Sequence, residues 1–456
     1  MAMVSDMKDK KVLVIGMGKS GVAATEALYP MGPKLTVQDS KEEDKIDKSF
    51  LDWLEGKEIE KSFGKLPDMT QFDMVVLSPG VSPELPFVVE AREAGAEIVG
   101  ELEIAYRVGN GTYVAITGTN GKTTTTTLVG EIFKAAKKKT HVVGNIGVAV
   151  ISESVGTTPE DYMITETSSF QLETIKDFKP IVSAILNLTP DHLNRHHTFE
   201  NYGLAKARIF ENQDESGYLV INYDDKECYK LAKGCKAKIV PFTRKEQLDF
   251  GAFVQDGAVV IKDEKGEVVE ICKVSDINII GNHNLENVLA ASAICYFAGI
   301  DPEVIGQAIK DFPGVEHRIE YSGTVNGVKY YNDSKGTNVD AAVTAIHAID
   351  TDIIIIAGGD GKSQDFAPFV KEFEPKVKLM LAIGRDANII ADEAKKIGFE
   401  NVIFVKDMDE AVEVAHQNAK PGDSVLLSPA CASWDMYDNF EQRGNHFKKC
   451  VKDLTE

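Results

Sequence analysis

Hydrophobic positions along this chain gather into short, nearly unbroken runs. Each run closes on glycine or small polar residues and is followed by a segment of helical period. "KKVLVIGMG" at residues 10–18 predicts a strand entering a glycine turn, and "SGVAATEALYPMG" at 20–32 a helix that ends at glycine. "KLTVQDS" and "FDMVVLSPG" predict two more strands with polar ends. Runs this uniformly apolar predict parallel strands covered on both faces. A second unit starts at "GELEIAYRVGNGTYVAITGTNGKTT", read as helix, glycine turn and strand, with later strands in "VSAILNLTPDHL" and "GYLVINYDD". Alternation is cleaner in "GAFVQDGAVVIKDEKGEVVEICKV", where "DG" and "KG" mark turns, so an antiparallel excursion is expected there. "NHNLENVLAASAICYFAGI" predicts a helix, and the next boundary falls in "FPGVEHRIEYSGTVNGVKYYNDS". The last unit carries strands in "VKYYNDS", "DIIIIAGGDG", "KLMLAIGRD", "NVIFV" and "DSVLLSPA". Their loops are rich in small and polar residues, where open α/β sheets place ligands.

Length agrees with this division: 456 residues make three domains at about 150 each. The net charge of −21 argues against a nonspecific nucleic-acid binder or a protein drawn to anionic membranes. Anionic ligands remain open, because backbone amides and a few cations catch them locally. The six cysteines form no CxxC pair and are expected to be reduced thiols of a cytoplasmic protein. No stretch approaches the about 18 apolar residues of a membrane span, and "MAMVSDMKDKK" lacks the apolar core of a signal peptide.

Two glycine patterns carry the chemistry. Gly16, Gly18 and Gly21 in "IGMGKSG" follow a strand and open a helix, and Asp39 ends the next strand. That context suits a dinucleotide or any nucleotide diphosphate, with a phosphate at the helix N-terminus; a glycine turn that only packs the helix is the plainer alternative. In "YVAITGTNGKTTTTT" the backbone N–H groups can ring a phosphate, Lys122 can bridge outer phosphates and Thr123 can hold Mg²⁺. The usual first glycine is replaced by Ile116, so the loop is a shortened variant. Glu166 in "ITETSSFQLE" ends an apolar run and could join the metal. Asp191 and His192 follow a strand in "NLTPDHLNRHHTF". Lys206 in "YGLAKARIF" reads, alone, as a solvated helix lysine. Arg318, Asp333, Lys335, Thr337, Lys362 and Ser433 sit in polar loops of the last unit. Lys362 and the helix start near Ser433 together suit a small dicarboxylate. These residues leave an NAD-dependent dehydrogenase and a catalytically silent nucleotide-binding regulator open.

In order, "GTNGKTT", "TETSSFQLE", "LNLTPDHLNRH", "LAKARIF", "GNHNLENVLAA", "EHR", "NDSKGTN", "GGDGKS" and "SPACASWDMYDNFEQRG" resemble the Mur ligases over nearly the whole chain. The central motifs are shared with folylpolyglutamate synthases; "GGDGKSQDF" and "SPACASWDMYDNFEQRG" are similar to the D-glutamate-adding branch. The shortened phosphate loop is the family's own form. The resemblance implies an α/β fold of three domains. These are a Rossmann-like UDP-substrate domain at 1–102, a central P-loop ATPase-like domain with a mostly parallel sheet at 103–313, and a Rossmann-like amino-acid domain at 314–456. It implies ATP-dependent addition of D-glutamate to UDP-N-acetylmuramoyl-L-alanine through an acyl phosphate, in peptidoglycan precursor synthesis. Gly18, Lys19, Ser20, Asp39, Ser40, Ser78 and Gly80 would hold the UDP part and Asn145 the muramoyl part. Gly118, Thr119, Asn120, Gly121, Lys122, Thr123, Thr124, Asn287, Arg318 and Asp333 would bind ATP. Thr123 and Glu166 would hold one Mg²⁺ and His192 would help hold a second. Lys206 matches the family's carbamylated lysine, with the carbamate as a further metal ligand. Lys362, Ser433, Phe440 and Thr337, with Lys335 nearby, would bind D-glutamate. The family pattern implies a cytoplasmic monomer with small-molecule substrates, no nucleic acid and no membrane span.

Overall fold

The computed structural model describes residues 7–454. Three sheets organise them. The first contains β1 Lys11–Ile15, β2 Lys34–Asp39, β3 Ile59–Phe63, β4 Met74–Leu77 and β5 Glu97–Gly100. Its order is β3-β2-β1-β4-β5, parallel throughout. Alternate residues serve opposite faces: Val12 and Val14 join one core, Leu13 and Ile15 the other. The helix Lys19–Leu28 follows β1 directly. It stops at Leu28 because Pro30 has no N–H to continue the ladder. A 3₁₀ turn, Tyr29–Met31, then closes on Gly32 at φ +80°.

The second sheet contains β6 Thr112–Thr117, β7 Lys139–Gly144, β8 Asp161–Glu166, β9 Val182–Ile185, β10 Tyr218–Asn222, β11 Lys238–Thr243, β12 Gly251–Gln255, β13 Ala258–Lys262 and β14 Val268–Lys273. The order is β14-β13-β12-β11-β10-β9-β6-β8-β7. Strands from β7 to β12 run parallel. β12, β13 and β14 form the antiparallel excursion expected from the turn signals. Its first turn has Asp256 at φ +51° and Gly257 at +74°, the paired positive angles of a type I′ hairpin.

The third sheet contains β15 Glu320–Val325, β16 Val328–Asn332, β17 Ile353–Ala357, β18 Val377–Ala382, β19 Val402–Phe404 and β20 Ser424–Leu427. Its order is β15-β16-β20-β17-β18-β19, parallel except for β15. The isoleucine run of β17 is buried on both faces: Ile353 and Ile355 enter one core, Ile354 and Ile356 the other.

The first two sheets share a compact unit, Met1–Ile277 with Leu285–Phe312, because one apolar core runs from Val12 and Val37 through Leu102 and Ile104 to Ile185 and Ile221. The third sheet belongs to a second unit, Asn278–Asn284 with Pro313–Glu456. All six cysteines are free thiols. Among the described residues no helix is long and apolar enough to cross a membrane.

Candidate functional site

β6 ends at Thr117, and the helix Lys122–Ala135 begins after a turn with Gly118 at φ +152° and Gly121 at +80°. A side chain on Gly121 would be strained at that angle and would overlap Asn287 Oδ1. The turn is fastened from the segment after β9. Asn187 Oδ1 accepts from the Asn120 N–H at 2.8 Å, and its Nδ2 donates back to the Asn120 carbonyl at 3.0 Å. Thr119 Oγ1 donates to the Thr189 carbonyl at 3.1 Å, and Thr125 Oγ1 donates to Asn287 Oδ1 at 3.3 Å. The first turn of such a helix leaves N–H groups without intrahelical acceptors, a ready anion cradle.

Two lysines meet on this loop. Lys122 Nζ donates to the carbonyls of Gly118 at 2.9 Å and Thr119 at 2.7 Å. Lys206, on the helix Phe199–Ala207, donates to the same Gly118 carbonyl at 2.8 Å and lies over the Tyr202 ring. Lys206 is only 2% exposed. Burial, and after it the Lys122 ammonium, hold its pKa well below the ordinary lysine value, which moves the side chain toward the neutral amine.

Glu166 ends β8 and is 1% exposed. Its Oε1 accepts from Asn145 Nδ2 at 2.8 Å, while Oε2 is buried and has no hydrogen-bond partner among the described residues. A buried carboxylate oxygen left in this way is costly unless a cation completes it. Asn145 thus rests against Glu166. Thr123 lies in the first turn of the phosphate-loop helix. His192 sits at φ +52°, half exposed, against the Phe170 ring, with Nε2 3.4 Å from Asp191 Oδ2. Just beyond it, Arg195 binds Glu173 Oε2 at 2.6 Å and the Val81 carbonyl at 3.2 Å. That contact ties the His192 turn to the loop containing Ser78 and Gly80.

In the first sheet, a cleft of about 590 Å³ opens beyond β1, β2 and β4, lined by Gly16, Asp39, Ser40, Lys65, Gly80 and Phe87. A Cβ on Gly21 would overlap the Gly16 carbonyl oxygen, whereas one on Gly18 would meet no atom within 4 Å. Gly21 therefore serves packing, and Gly18 leaves backbone open to a ligand. Ser78 Oγ donates to the Gly16 carbonyl at 2.7 Å. Asp39 accepts from the N–H of Met17 at 2.7 Å and of Lys41 at 2.9 Å, so both of its oxygens hold backbone. Lys19 is exposed and Ser20 half-buried at the start of the helix.

In the second unit, the named residues gather beyond the C-terminal ends of β16, β17 and β20. Asp333 accepts from Ser428 Oγ at 2.7 Å and from the Ile319 N–H at 3.3 Å. Burial raises its pKa to about 7, against the pull of Ser428 and Arg318. Arg318 Nε is buried and has no hydrogen-bond partner among the described residues. Lys362 and Ser363 both adopt positive φ, and Lys362 Nζ lies 4.5 Å above the Trp434 ring. Ser433 is buried and its carbonyl caps the turn to Met436 and Tyr437. Phe440 opens the helix Phe440–Asp453, its carbonyl accepts from Ser334 Oγ at 2.8 Å, and Lys335 lies over its ring. Gln364 joins the loops: it accepts from the Val339 N–H and donates to the Ala430 carbonyl, two residues from Thr337 and three from Ser433. Arg443, 3% exposed, binds the Ser334 hydroxyl and carbonyl and the Cys431 carbonyl.

Asn187, Arg195, Tyr202 and Arg443 also touch the candidate site residues or their loops, although only their motifs "LNLTPDHLNRH", "YGLAKARIF" and "FEQRG", and not the residues themselves, stand out in the sequence. Their signal is spatial: a neutral-looking Asn, an Arg beside a His, a Tyr one turn before a Lys.

Three stretches of the chain match known protein families. Residues 10–100 match the Mur ligase MurD-like N-terminal domain, 116–295 the Mur ligase middle domain, and 317–431 the Mur ligase glutamate ligase domain. The chain is 51% identical over 454 residues to the UDP-N-acetylmuramoylalanine–D-glutamate ligase of Alkaliphilus oremlandii, covering 98% of this chain and 99% of that one. It is 48% identical to the enzyme of the same name from Thermoanaerobacter sp. strain X514, with the same coverage. Among solved structures, the UDP-N-acetylmuramate-alanine ligase MurC of Thermotoga maritima superposes with a TM-score of 0.58 at 19% identity, over 97% of this chain and 99% of that chain, a likeness of fold.

Proposed function

This chain belongs to the Mur ligase family, and from that membership we propose that it is an ATP-dependent amide-bond ligase joining D-glutamate to UDP-N-acetylmuramoyl-L-alanine. The observation that carries this reading is the meeting of Lys122 and Lys206 on a glycine turn, with the Glu166 carboxylate close enough to act on Lys206. On this reading residues 1–102 hold the UDP part, 103–313 ATP and 314–456 the amino acid.

The family uses ATP and Mg²⁺, and the residues present fit the metal: a hard cation needs oxygen donors, and Glu166 Oε2 is a buried one without a hydrogen-bond partner among the described residues. Thr123 and Glu166 would hold one Mg²⁺, and His192 would help hold a second. Bound magnesium neutralises phosphoryl charge. Carbamylation of Lys206 rests on its burial and depressed basicity. The neutral amine forms an N–C bond to CO₂ and loses one proton to solvent. The product is an anion, which attracts Lys122 where an ammonium would repel it.

The chemistry divides between the sites. A carboxylate is a poor acyl donor, so its oxygen attacks the γ-phosphorus of ATP and ADP leaves. Lys122 and the loop N–H groups stabilise the charge on the transferred group. The neutral amine of D-glutamate then attacks the acyl carbon, gives up a proton, and phosphate departs. Water has to be excluded, because it would hydrolyse the acyl phosphate. Asn145 would orient the muramoyl arm beside Glu166. Gly18, Lys19, Ser20, Ser40, Ser78 and Gly80 would bind the UDP phosphates, with Asp39 holding the loop. Asn287, Arg318 and Asp333 would contact the nucleotide. Lys362, Thr337, Ser433 and Phe440 would receive the dicarboxylate.

The test is phosphate release from ATP with UDP-N-acetylmuramoyl-L-alanine and, in turn, D-glutamate, L-glutamate, L-lysine or no amino acid. Release that requires D-glutamate is expected. Release with another amino acid would move the chain to a sister activity, and none at all with ATP bound would leave a silent nucleotide binder.

A further inference from the structure

The helices Met408–Asn418 and Phe440–Asp453 pack side by side in the second unit. On the second helix, His446 and Cys450 are four residues apart and share one face. Asp409 lies in the first turn of the other helix. Its Oδ2 is 3.1 Å from His446 Nε2, and its Oδ1 is 3.7 Å from Cys450 Sγ. Donor atoms of all three lie within 4.8 Å of one another. Nothing in the ligase chemistry uses them.

We propose that Asp409, His446 and Cys450 form a binding site for one thiophilic divalent cation of the zinc class, with the fourth position left to water. Tetrahedral zinc, with bonds of about 2.0–2.3 Å, sets its donors roughly 3.3–3.7 Å apart, which these side chains reach with small adjustments. The His446 ring is already oriented: Tyr437 OH lies 2.9 Å from Nδ1, leaving Nε2 toward Asp409. A metal-bound histidine uses such a partner on its other nitrogen. On binding, the Cys450 thiol loses its proton to solvent and a metal–sulfur bond forms. Mg²⁺ is a poor occupant, because it is hard and prefers oxygen. Asp409 is largely exposed, so the site is open from its side. Occupancy would also stiffen the turn that carries Ser433, because the Tyr437 N–H binds the Ser433 carbonyl at 2.8 Å. That consequence rests on the amino-acid site proposed above; the binding does not.

The experiment titrates the metal-free full chain with Zn²⁺ against a chelating indicator, with Mg²⁺ in constant excess. It is repeated anaerobically with Co²⁺, read by thiolate-to-cobalt absorption. One zinc per chain, proton release and the thiolate band are expected. Cys450→Ser and Asp409→Asn should each weaken binding by about tenfold or more, the band vanishing in the former. Asp409→Asn changes an exposed side chain and decides the matter if Cys450→Ser fails to fold. Unchanged zinc affinity in Asp409→Asn, or a cobalt spectrum without the thiolate band, would reduce the cluster to an ion pair between two helices.

Discussion

Lys206 looks solvent-facing in its local sequence, and its surroundings make it the opposite. It is buried over Tyr202 and shares the Gly118 carbonyl with Lys122. If it acts as a carbamate, Lys206→Ala should lose activity that bicarbonate cannot restore, while ATP binding through the loop amides persists. Full turnover in that variant, measured by phosphate release, would end the carbamate role. Asp333 offers a second residue-scale test. Its folded pKa of about 7 stands above the ordinary 3.8, so the folded chain keeps a proton that the unfolded chain has released. Its contribution to stability is present at low pH and is lost as pH rises through about 7. Asp333→Asn can accept from Ile319 and donate to Ser428, so the fall in Tm between pH 4 and 7 should become shallower. Glu101, also pushed up to about 7 by burial, keeps some of the slope. Identical Tm profiles for variant and parent would show Asp333 ionised in the folded state.

At the scale of elements, the two glycine turns separate folding from binding. Gly21→Ala would drive a Cβ into the Gly16 carbonyl, whereas Gly18→Ala meets open space at φ −83°. Gly21→Ala should therefore cost about 1–3 kcal/mol of stability and weaken binding of the UDP substrate. Gly18→Ala should fold as the parent does and weaken only the ligand. Thermal melts and calorimetric titration with the UDP substrate check both, and a Gly18→Ala variant that binds normally would move the UDP phosphates elsewhere. Buried elements were legible: β1, β6 and β17 announce themselves as unbroken apolar runs with a glycine stop. Elements with polar faces were not. The helix Lys48–Leu54 and β3 lie in the charged stretch 41–65, and β3 buries only its last two residues fully. β15 was missed although "NG" follows it, and Asn326 and Gly327 take the positive φ pair of a I′ turn.

At the scale of the whole molecule, each compact unit should answer its own ligand. UDP-N-acetylmuramoyl-L-alanine should slow amide exchange at residues 16–21 and 78–80, and D-glutamate at 433–440. At about 100 times Kd, binding stabilises the folded state by about 2.7 kcal/mol. Hydrogen-exchange mass spectrometry reads both, and protection by D-glutamate that left 433–440 unchanged would displace the amino-acid site. The sequence by itself determined the α/β class, the strands buried on both faces, the two glycine turns and the family, because each of these is written in neighbouring residues: periodicity, turn chemistry and motif spacing. Tertiary structure alone decided that Lys206 is buried against Lys122, that Glu166 keeps a bare oxygen, and that Asp39 spends both of its oxygens on backbone. It alone brought Asp409 to His446 and Cys450. Burial and charge proximity depend on which distant segments meet, and that meeting is set by the packing of whole sheets and helices.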